Sequence, residues 1–303
     1  MYKKVLIIVN PASGKNLAPK YGEKLAQVLS ETFAANVQIK ETQGKDDAKH
    51  FAAQAQSEGY DTVVCLGGDG TVNETIQGLL TNEEKPRFAF IPLGTVNDLA
   101  RALGYPLDPE AMIQQFHHMT LDHLDVATVN DQIFVNVLAL GDIPQSVMET
   151  SAEDKNNFGF FAYMKDAIGA ALKQETMSLT IETGQGQSVD IETSILLVSL
   201  TNSVGGFEAL VAHASYNDGL LHLAAVKGNH PLTYAKALFE GGIKEDSTDA
   251  ILVISGDHFI IKDRQAGVDK VYKANIDGDK GPSLPLDIRL LKGAIPVLVP
   301  EKD

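Results

Sequence analysis

Thr62-Val63-Val64-Cys65-Leu66-Gly67-Gly68-Asp69-Gly70-Thr71-Val72-Asn73-Glu74 runs from an unbroken apolar, β-branched stretch into a glycine turn and out into a helical pattern. A continuous apolar run is what a parallel strand buried on both faces requires. Gly67, Gly68 and Gly70 let the backbone approach a ligand with no Cβ in the way. Thr71 and Glu74 have capping-box spacing, which predicts a helix starting at Thr71. Its free amide groups then point back at the glycines, the arrangement that binds phosphate. Asp69 puts a carboxylate among groups meant for an anion. That is sensible where a divalent cation bridges them or where the acid orients a hydroxyl. The plainer alternative is a capped glycine turn with no ligand.

The same strand-to-turn-to-helix pattern occurs on either side of this stretch. Upstream, a strand over residues 5–9 ends at Asn10-Pro11-Ala12-Ser13-Gly14-Lys15, and a helix is expected over 17–30. Downstream, a strand over 88–92 ends at Leu93-Gly94-Thr95-Val96-Asn97-Asp98. Between them lie a strand over 37–41 and a helix over 46–58. Asp108-Pro109-Glu110 opens a further helix, with Asp as N-cap, Pro at its first position and an acid in its first turn. Alternation of this kind is the rhythm of a doubly wound sheet, in which such turns share the carboxyl edge of the strands, where ligands bind. Two standard phosphate fingerprints fail. A P-loop needs Gly where Val9 stands and Ser or Thr where Asn16 stands, and the dinucleotide pattern needs its third Gly where Asn73 stands.

From about Leu124 the rhythm becomes strand after strand, over 177–182, 188–200, 220–226, 251–255 and 259–262. Helical patterns over 158–174 and 231–240 interrupt it, the latter closed by Gly241-Gly242. The fold class expected is α/β plus β, a doubly wound domain followed by an antiparallel one.

Composition narrows the function. The chain of 303 residues is 44% hydrophobic and 21% charged, with a net charge of -15. Such acidity argues against nucleic acid as a partner and against permanent docking on anionic lipid. Cys65 has no second cysteine to pair with and is expected to be a buried small hydrophobe. MYKKVLIIVN is too short for a signal peptide or a spanning helix, so a cytosolic protein is expected and the Asn73-Glu74-Thr75 sequon is taken as chance. His117, His118 and His123 lack ligand spacing. The aromatic run from Phe158 to Met164 is expected to be a core face more than a lipid site.

Taken in order, NPASGK, GGDGTVNE and PLGTVNDLAR resemble the signature of the diacylglycerol kinase catalytic domain, shared by bacterial lipid kinases and by sphingosine and ceramide kinases. ATP–NAD kinases and phosphofructokinases are more distantly similar through GGDGT. Tyr216-Asn217-Asp218-Gly219-Leu220-Leu221 and Ile276-Asp277-Gly278-Asp279 resemble two further family segments, so the likeness spans nearly the whole chain. The resemblance implies a nucleotide-binding domain over 1–124, joined by a returning segment 289–303, and a β-sandwich substrate domain over 125–288, with the active site between them. It implies ATP and Mg²⁺ as cofactors, with ATP bound by Asn10, Pro11, Ala12, Ser13, Gly14, Thr42, Gly67, Gly68, Asp69, Gly70, Thr71, Val72, Asn73 and Thr95. Asp277 becomes the base that deprotonates the substrate hydroxyl. Asp69 and Asp98 become acids near the phosphates and the catalytic Mg²⁺, and Asp279 completes the acidic set. The carbonyls of Ser215 and Leu220, with the Asp218 carboxylate, hold a further Mg²⁺. The substrate implied is diacylglycerol or a similar lipid, met in transient contact with the inner membrane face, and a homodimer is left open.

Phosphoryl transfer needs mainly positioning and charge neutralisation, which agrees with these residue types. Taken alone, Asp277-Gly278 and Asp218-Gly219 read more simply as turns. The chain departs from the family at Asp279, where Glu is usual, at Val204-Gly205-Gly206-Phe207 and at Gly141-Asp142-Ile143-Pro144. Two other functions therefore stay open: a kinase of a soluble acceptor such as NAD, and a non-catalytic nucleotide or lipid sensor.

Overall fold

In the computed structural model, which describes residues 2–141, 176–203, 214–228, 251–265 and 271–301, the first elements follow the alternation of the sequence. β1 (Lys4–Val9), α1 (Ala18–Phe33), β2 (Asn36–Glu41), α2 (Asp47–Gln54), β3 (Thr62–Gly67), α3 (Asp69–Leu80) and β4 (Arg87–Pro92) succeed one another, followed by α4 (Asp98–Ala102) and α5 (Pro109–Gln115). The strands pair in parallel in the order β2-β1-β3-β4. β3 is buried along its whole length, and β1 and β4 everywhere but their first residue, as their apolar runs require. α1 turns Ala18, Gly22, Leu25 and Leu29 inward, one apolar stripe at helical spacing. α5 is capped as its sequence predicts: the Asp108 carboxylate accepts the Ala111 amide at 2.8 Å, with Pro109 at the first position.

Two expectations are corrected here. α3 begins at Asp69, with Gly68 as N-cap and no side-chain cap, so Thr71 and Glu74 do not form a capping box. The Thr71 hydroxyl instead accepts a hydrogen bond from the Asn10 side-chain amide at 3.1 Å, so the cap is given up for a tie between two turns. α2 is also shorter than its apolar pattern. Asp46 sits at φ 68° without capping, and the Ala55 amide bonds back only to Ala52, which tightens the end of the helix.

Cys65 is buried within β3, and burial pushes its thiol up to about 12. The sequon is ruled out locally, because Thr75 is fully buried and its hydroxyl donates to the Thr71 carbonyl at 2.8 Å. α2 and α3 touch at Gly78, where an added Cβ would lie 2.2 Å from the Lys49 carbonyl oxygen and 2.8 Å from the Ala52 Cβ. Gly→Ala inside a helix ordinarily gains about 1 kcal/mol. Here the added methyl meets backbone, so Gly78→Ala is expected to destabilise by about 1–3 kcal/mol, read as a lowered midpoint in thermal unfolding.

The chain divides into two units, Met1–Leu124 with Gly293–Asp303, and Asp125–Lys292. β5 (Met119–Val129) and β15 (Leu286–Pro300) each carry the chain from one to the other. In the first unit β15 lies parallel to β4, with Val297 opposite Phe88. The Tyr105 hydroxyl donates to the Leu298 carbonyl there.

The second unit is built from strands: β6 (Gln132–Phe134), β7 (Val137–Leu140), β8 (Met177–Thr183), β9 (Ser188–Ser199), β10 (Leu221–Lys227), β11 (Ile251–Gly256), β12 (His258–Asp263), β13 (Lys273–Ile276) and β14 (Asp279–Ser283), with parts of β5 and β15. β9 is long enough to pair with β8 by one half and β7 by the other, and it also pairs with β10. Alternate residues such as Leu179 and Ile181, Leu196 and Val198, Leu221 and Leu223, and Phe259 and Ile261 meet in a single core. β5, β6, β7, β13 and β14 are additional to the strands expected from sequence. The expected helices over 158–174 and 231–240, the aromatic run from Phe158, and the departures at Val204 to Phe207 and Asp142 to Pro144 lie outside the described residues.

Candidate active site

The strand order places a topological switch at β1 and β3, because the chain leaves β1 for β2 on one side and returns to β3 on the other. Turns at the carboxyl ends of such a pair diverge and leave a crevice between them. A cleft of about 500 Å³ opens there, lined by Asn10, Pro11, Ala12 and Ser13 after β1, by Thr42, Gln43, Gly44, Lys45 and Ala48 after β2, and by Gly68, Gly70, Thr71 and Glu74 after β3. That size suits a small molecule. The first amides of α3 have no helical carbonyl to bond, and Gly70 and Thr71 bring this helix start to the cleft.

The turns are tied to one another. The Asn10 amide joins the first to Thr71, and the Asn10 backbone amide donates to the Leu66 carbonyl at 3.0 Å. The third turn is held from both sides: the Gly14 amide donates to the Leu93 carbonyl at 3.3 Å, and the Leu93 amide to the Gly67 carbonyl at 2.8 Å. Gly68 and Gly94 stand back to back, so that a Cβ on Gly94 would come within 2.8 Å of the Gly68 Cα. Asn97, at φ 55°, folds its side chain onto Gly94, accepting its amide and donating to its carbonyl, each at 2.9 Å.

Asp69 completes the link. Its carboxylate accepts the amides of Asn97 at 3.0 Å and Asp98 at 3.1 Å, and so caps α4 from the first residue of α3. Burial lifts the Asp69 carboxyl above its ordinary value, with the charge of Asp98 adding to the effect and the two amides opposing it. Asp98 itself is buried at the start of α4.

In the second unit, Asp277 and Gly278 form the two-residue turn between β13 and β14, with φ of 50° and 95°. Positive φ at both places is what a tight hairpin asks for, so the plain turn reading of this dipeptide holds. The side chain is nonetheless committed elsewhere. The Asp277 carboxylate accepts three backbone amides, Val135 at 2.7 Å, Asn136 at 3.0 Å and Val137 at 2.9 Å. Asp279 is exposed at the first position of β14.

Asp218 lies in a second turn, its carboxylate accepting the amides of Ser215 and Leu220, each at 2.9 Å, and facing His222 Nε2 at 2.9 Å. Burial raises its pKa, but these hydrogen bonds outweigh it and hold the carboxyl below the usual range. Asp125, buried, accepts the Gly219 amide at 2.7 Å. Among the described residues no three His, Cys, Asp or Glu side chains cluster as a metal site. The Asp218 turn nevertheless suits a hard cation by the chemistry of its donors, a carboxylate and two carbonyls, all oxygen.

Residues 4–129 match the diacylglycerol kinase catalytic domain. Similar curated proteins include the diacylglycerol kinase of Bacillus subtilis strain 168, 30% identical over 99% of this chain and 97% of that one. Another is the diacylglycerol kinase of Staphylococcus carnosus strain TM300, 30% identical over 99% and 96%. The chain belongs to the diacylglycerol kinase family. It is accordingly an enzyme, a lipid kinase. A crystal structure of a diacylglycerol kinase from Bacillus anthracis str. Sterne shares the fold, with a TM-score of 0.79 over 98% of this chain and 97% of that one at 24% identity. No helix among the described residues is long and apolar enough to cross a membrane.

Of the nucleotide-binding residues implied for a diacylglycerol kinase, Asn10, Pro11, Ala12, Ser13, Thr42, Gly68, Gly70 and Thr71 line the cleft. Gly14, Gly67 and Asp69 are not among its lining residues and tie the turns together, Val72 is buried in the core, and Thr95 is exposed on the third turn. The Asn73 side chain accepts from Gln77 one helical turn on, at 3.0 Å. Sequence reasoning missed Gln43, Gly44, Lys45, Ala48 and Glu74 as lining residues. The signal was available: once β2 is placed beside β1, its following loop must share the same carboxyl edge.

Proposed function

We propose that this chain transfers the γ-phosphoryl group of ATP, with Mg²⁺, to the hydroxyl of diacylglycerol or a similar lipid, in transient contact with the inner face of a membrane. The observation that carries this reading is the convergence of the turns after β1, β2 and β3 on one cleft at the switch point of a parallel sheet. Full-length relatives named diacylglycerol kinase support the choice of acceptor.

The amides of Gly70 and Thr71 at the start of α3 would face the phosphates, where a helix start favours negative charge. Lys45, on the loop after β2, is the one cation among the described residues that line the cleft, and it would face the phosphates. Asp277 would accept the proton of the lipid hydroxyl as that oxygen forms its bond to the γ-phosphorus and the bond to the ADP oxygen breaks. Its three amide bonds hold the carboxylate still, in one orientation. Asp69 and Asp98 would stand as acids near the phosphates and the catalytic Mg²⁺, which when bound neutralises charge on the transferring group, and Asp218 with the carbonyls of Ser215 and Leu220 would hold a further Mg²⁺ that supports the site.

The test is transfer of labelled phosphate from ATP·Mg²⁺ to diacylglycerol in mixed micelles. Label in the lipid phase supports the reading, whereas label on NAD with none in lipid overturns it. In the same assay Lys45→Ala is expected to raise the KM for ATP about tenfold with kcat little changed, since it removes one charge-assisted contact made equally in ground and transition states.

A further inference from the structure

His222 lies outside every motif singled out in the sequence. It sits on β10, 6% exposed, and both ring nitrogens are engaged. Nε2 is 2.9 Å from Asp218 Oδ2, and Nδ1 is 3.0 Å from the hydroxyl of Ser255, the residue directly opposite on β11. One neutral tautomer satisfies both contacts: the Ser255 hydroxyl donates to Nδ1, and Nε2–H donates to the carboxylate.

Counting lone pairs on Asp218 then gives an asymmetric carboxylate. Oδ2 takes the Ser215 amide and His222, which fills its two lone pairs. Oδ1 takes the Leu220 amide alone among the described residues and keeps one lone pair free.

We propose that His222 sets the metal preference of the Asp218 turn, by occupying Oδ2 so that the carboxylate can offer a cation only Oδ1. The inference rests on reading Asp218, Ser215 and Leu220 as a metal site. Mg²⁺ is small, octahedral and content with single oxygens and retained waters. Ca²⁺ is larger and gains from a carboxylate that binds through both oxygens. A carboxylate with one oxygen closed therefore favours Mg²⁺ over Ca²⁺. His222 acts through Asp218 and touches neither cation nor substrate, so it is a positioning residue. Partners of this kind commonly change metal affinity by about 10–100-fold.

The experiment is calorimetric titration of the full chain with MgCl₂ and with CaCl₂, without nucleotide, using Asp218→Asn to assign the signal to this turn. The wild type is expected to bind Mg²⁺ in preference to Ca²⁺ with heat that Asp218→Asn removes. His222→Ala is expected to weaken Mg²⁺ by about tenfold or more and to shift the preference toward Ca²⁺. His222→Gln, whose amide can still donate to Oδ2, is expected to restore most of the wild-type preference. If His222→Ala does not fold, Ser255→Ala, which frees the ring from one side, is expected to shift the preference in the same direction by a smaller amount. A preference unchanged in whichever of these two variants is folded overturns the inference while leaving the metal site standing. A wild type with no Mg²⁺ binding that depends on Asp218 overturns both.

Discussion

Asp277→Asn is expected to lose lipid phosphorylation by about 10²–10⁴-fold, the range a positioned general base supplies, while its affinity for ATP stays at the wild-type value. Asparagine matches the carboxylate in size and can still accept amides through its one oxygen. It cannot take a proton from a hydroxyl. Its NH₂ group would also face one of the three amides of Val135, Asn136 and Val137, so a local cost of about 1–3 kcal/mol should accompany the change. Turnover and equilibrium nucleotide binding, measured on the same preparation with its thermal unfolding midpoint, separate the two effects. Undiminished turnover would remove Asp277 from the chemistry. Lost turnover together with lost ATP binding would make it a structural acid only.

The second large effect is expected at Asp69. Asp69→Asn keeps one oxygen for either the Asn97 or the Asp98 amide and turns an N–H toward the other, leaving a buried donor without a partner. The third turn then loses its register against the glycine turn. Displacements on the scale of an ångström cost about 10²-fold in a positioned reaction, and that is the loss of kcat/KM expected.

A pH titration of stability tests the same residue without any assay of activity. The folded chain keeps the Asp69 proton at pH values where the unfolded chain has already shed it. Between the ordinary carboxyl value and the raised one, stability from this group therefore falls as pH rises, and above the raised value its cost is complete. Asp218 works the other way. Its contribution is present above the ordinary value and disappears as pH falls through its lowered one. The two windows do not overlap, so Asp69→Asn should remove the falling segment on the alkaline side of the ordinary value and leave acid unfolding in place. A wild type and variant with parallel curves would show that burial does not act on Asp69 in this way.

Much of the first unit was legible because parallel strands buried on both faces can hardly be anything but unbroken apolar runs, as in Ile7-Ile8-Val9 and Val63-Val64-Cys65-Leu66. The start of α3 was not. A Thr and a Glu three residues apart satisfy a local rule, but a long-range bond from Asn10 to Thr71 overrode it, and propensity carries no record of Asn10. The same limit hid Lys45 and Glu74, whose place in the cleft follows from strand order rather than from their neighbours in sequence. β13 and β14 were obscured because each is short and they meet at Asp277-Gly278, a dipeptide that suits a tight turn with or without strands on either side. His222 had the least signal of all. Alternation in Leu221-His222-Leu223 says only that it points away from the core, and its two partners come from a turn and a neighbouring strand.

The passage of the chain between units at Leu124–Asp125 and back at Lys292–Gly293 has a consequence for how the protein is made. As the chain leaves the ribosome, β1 to β4 emerge first, but the strand that pairs with β4, and the backbone carbonyl that satisfies Tyr105, come only after the whole second unit. The half that begins first is thus completed last. Until Ile295, Val297 and Leu298 arrive, Phe88 and Phe90 lie beside an open sheet edge, exposed to pairing with another nascent chain or to capture by a chaperone.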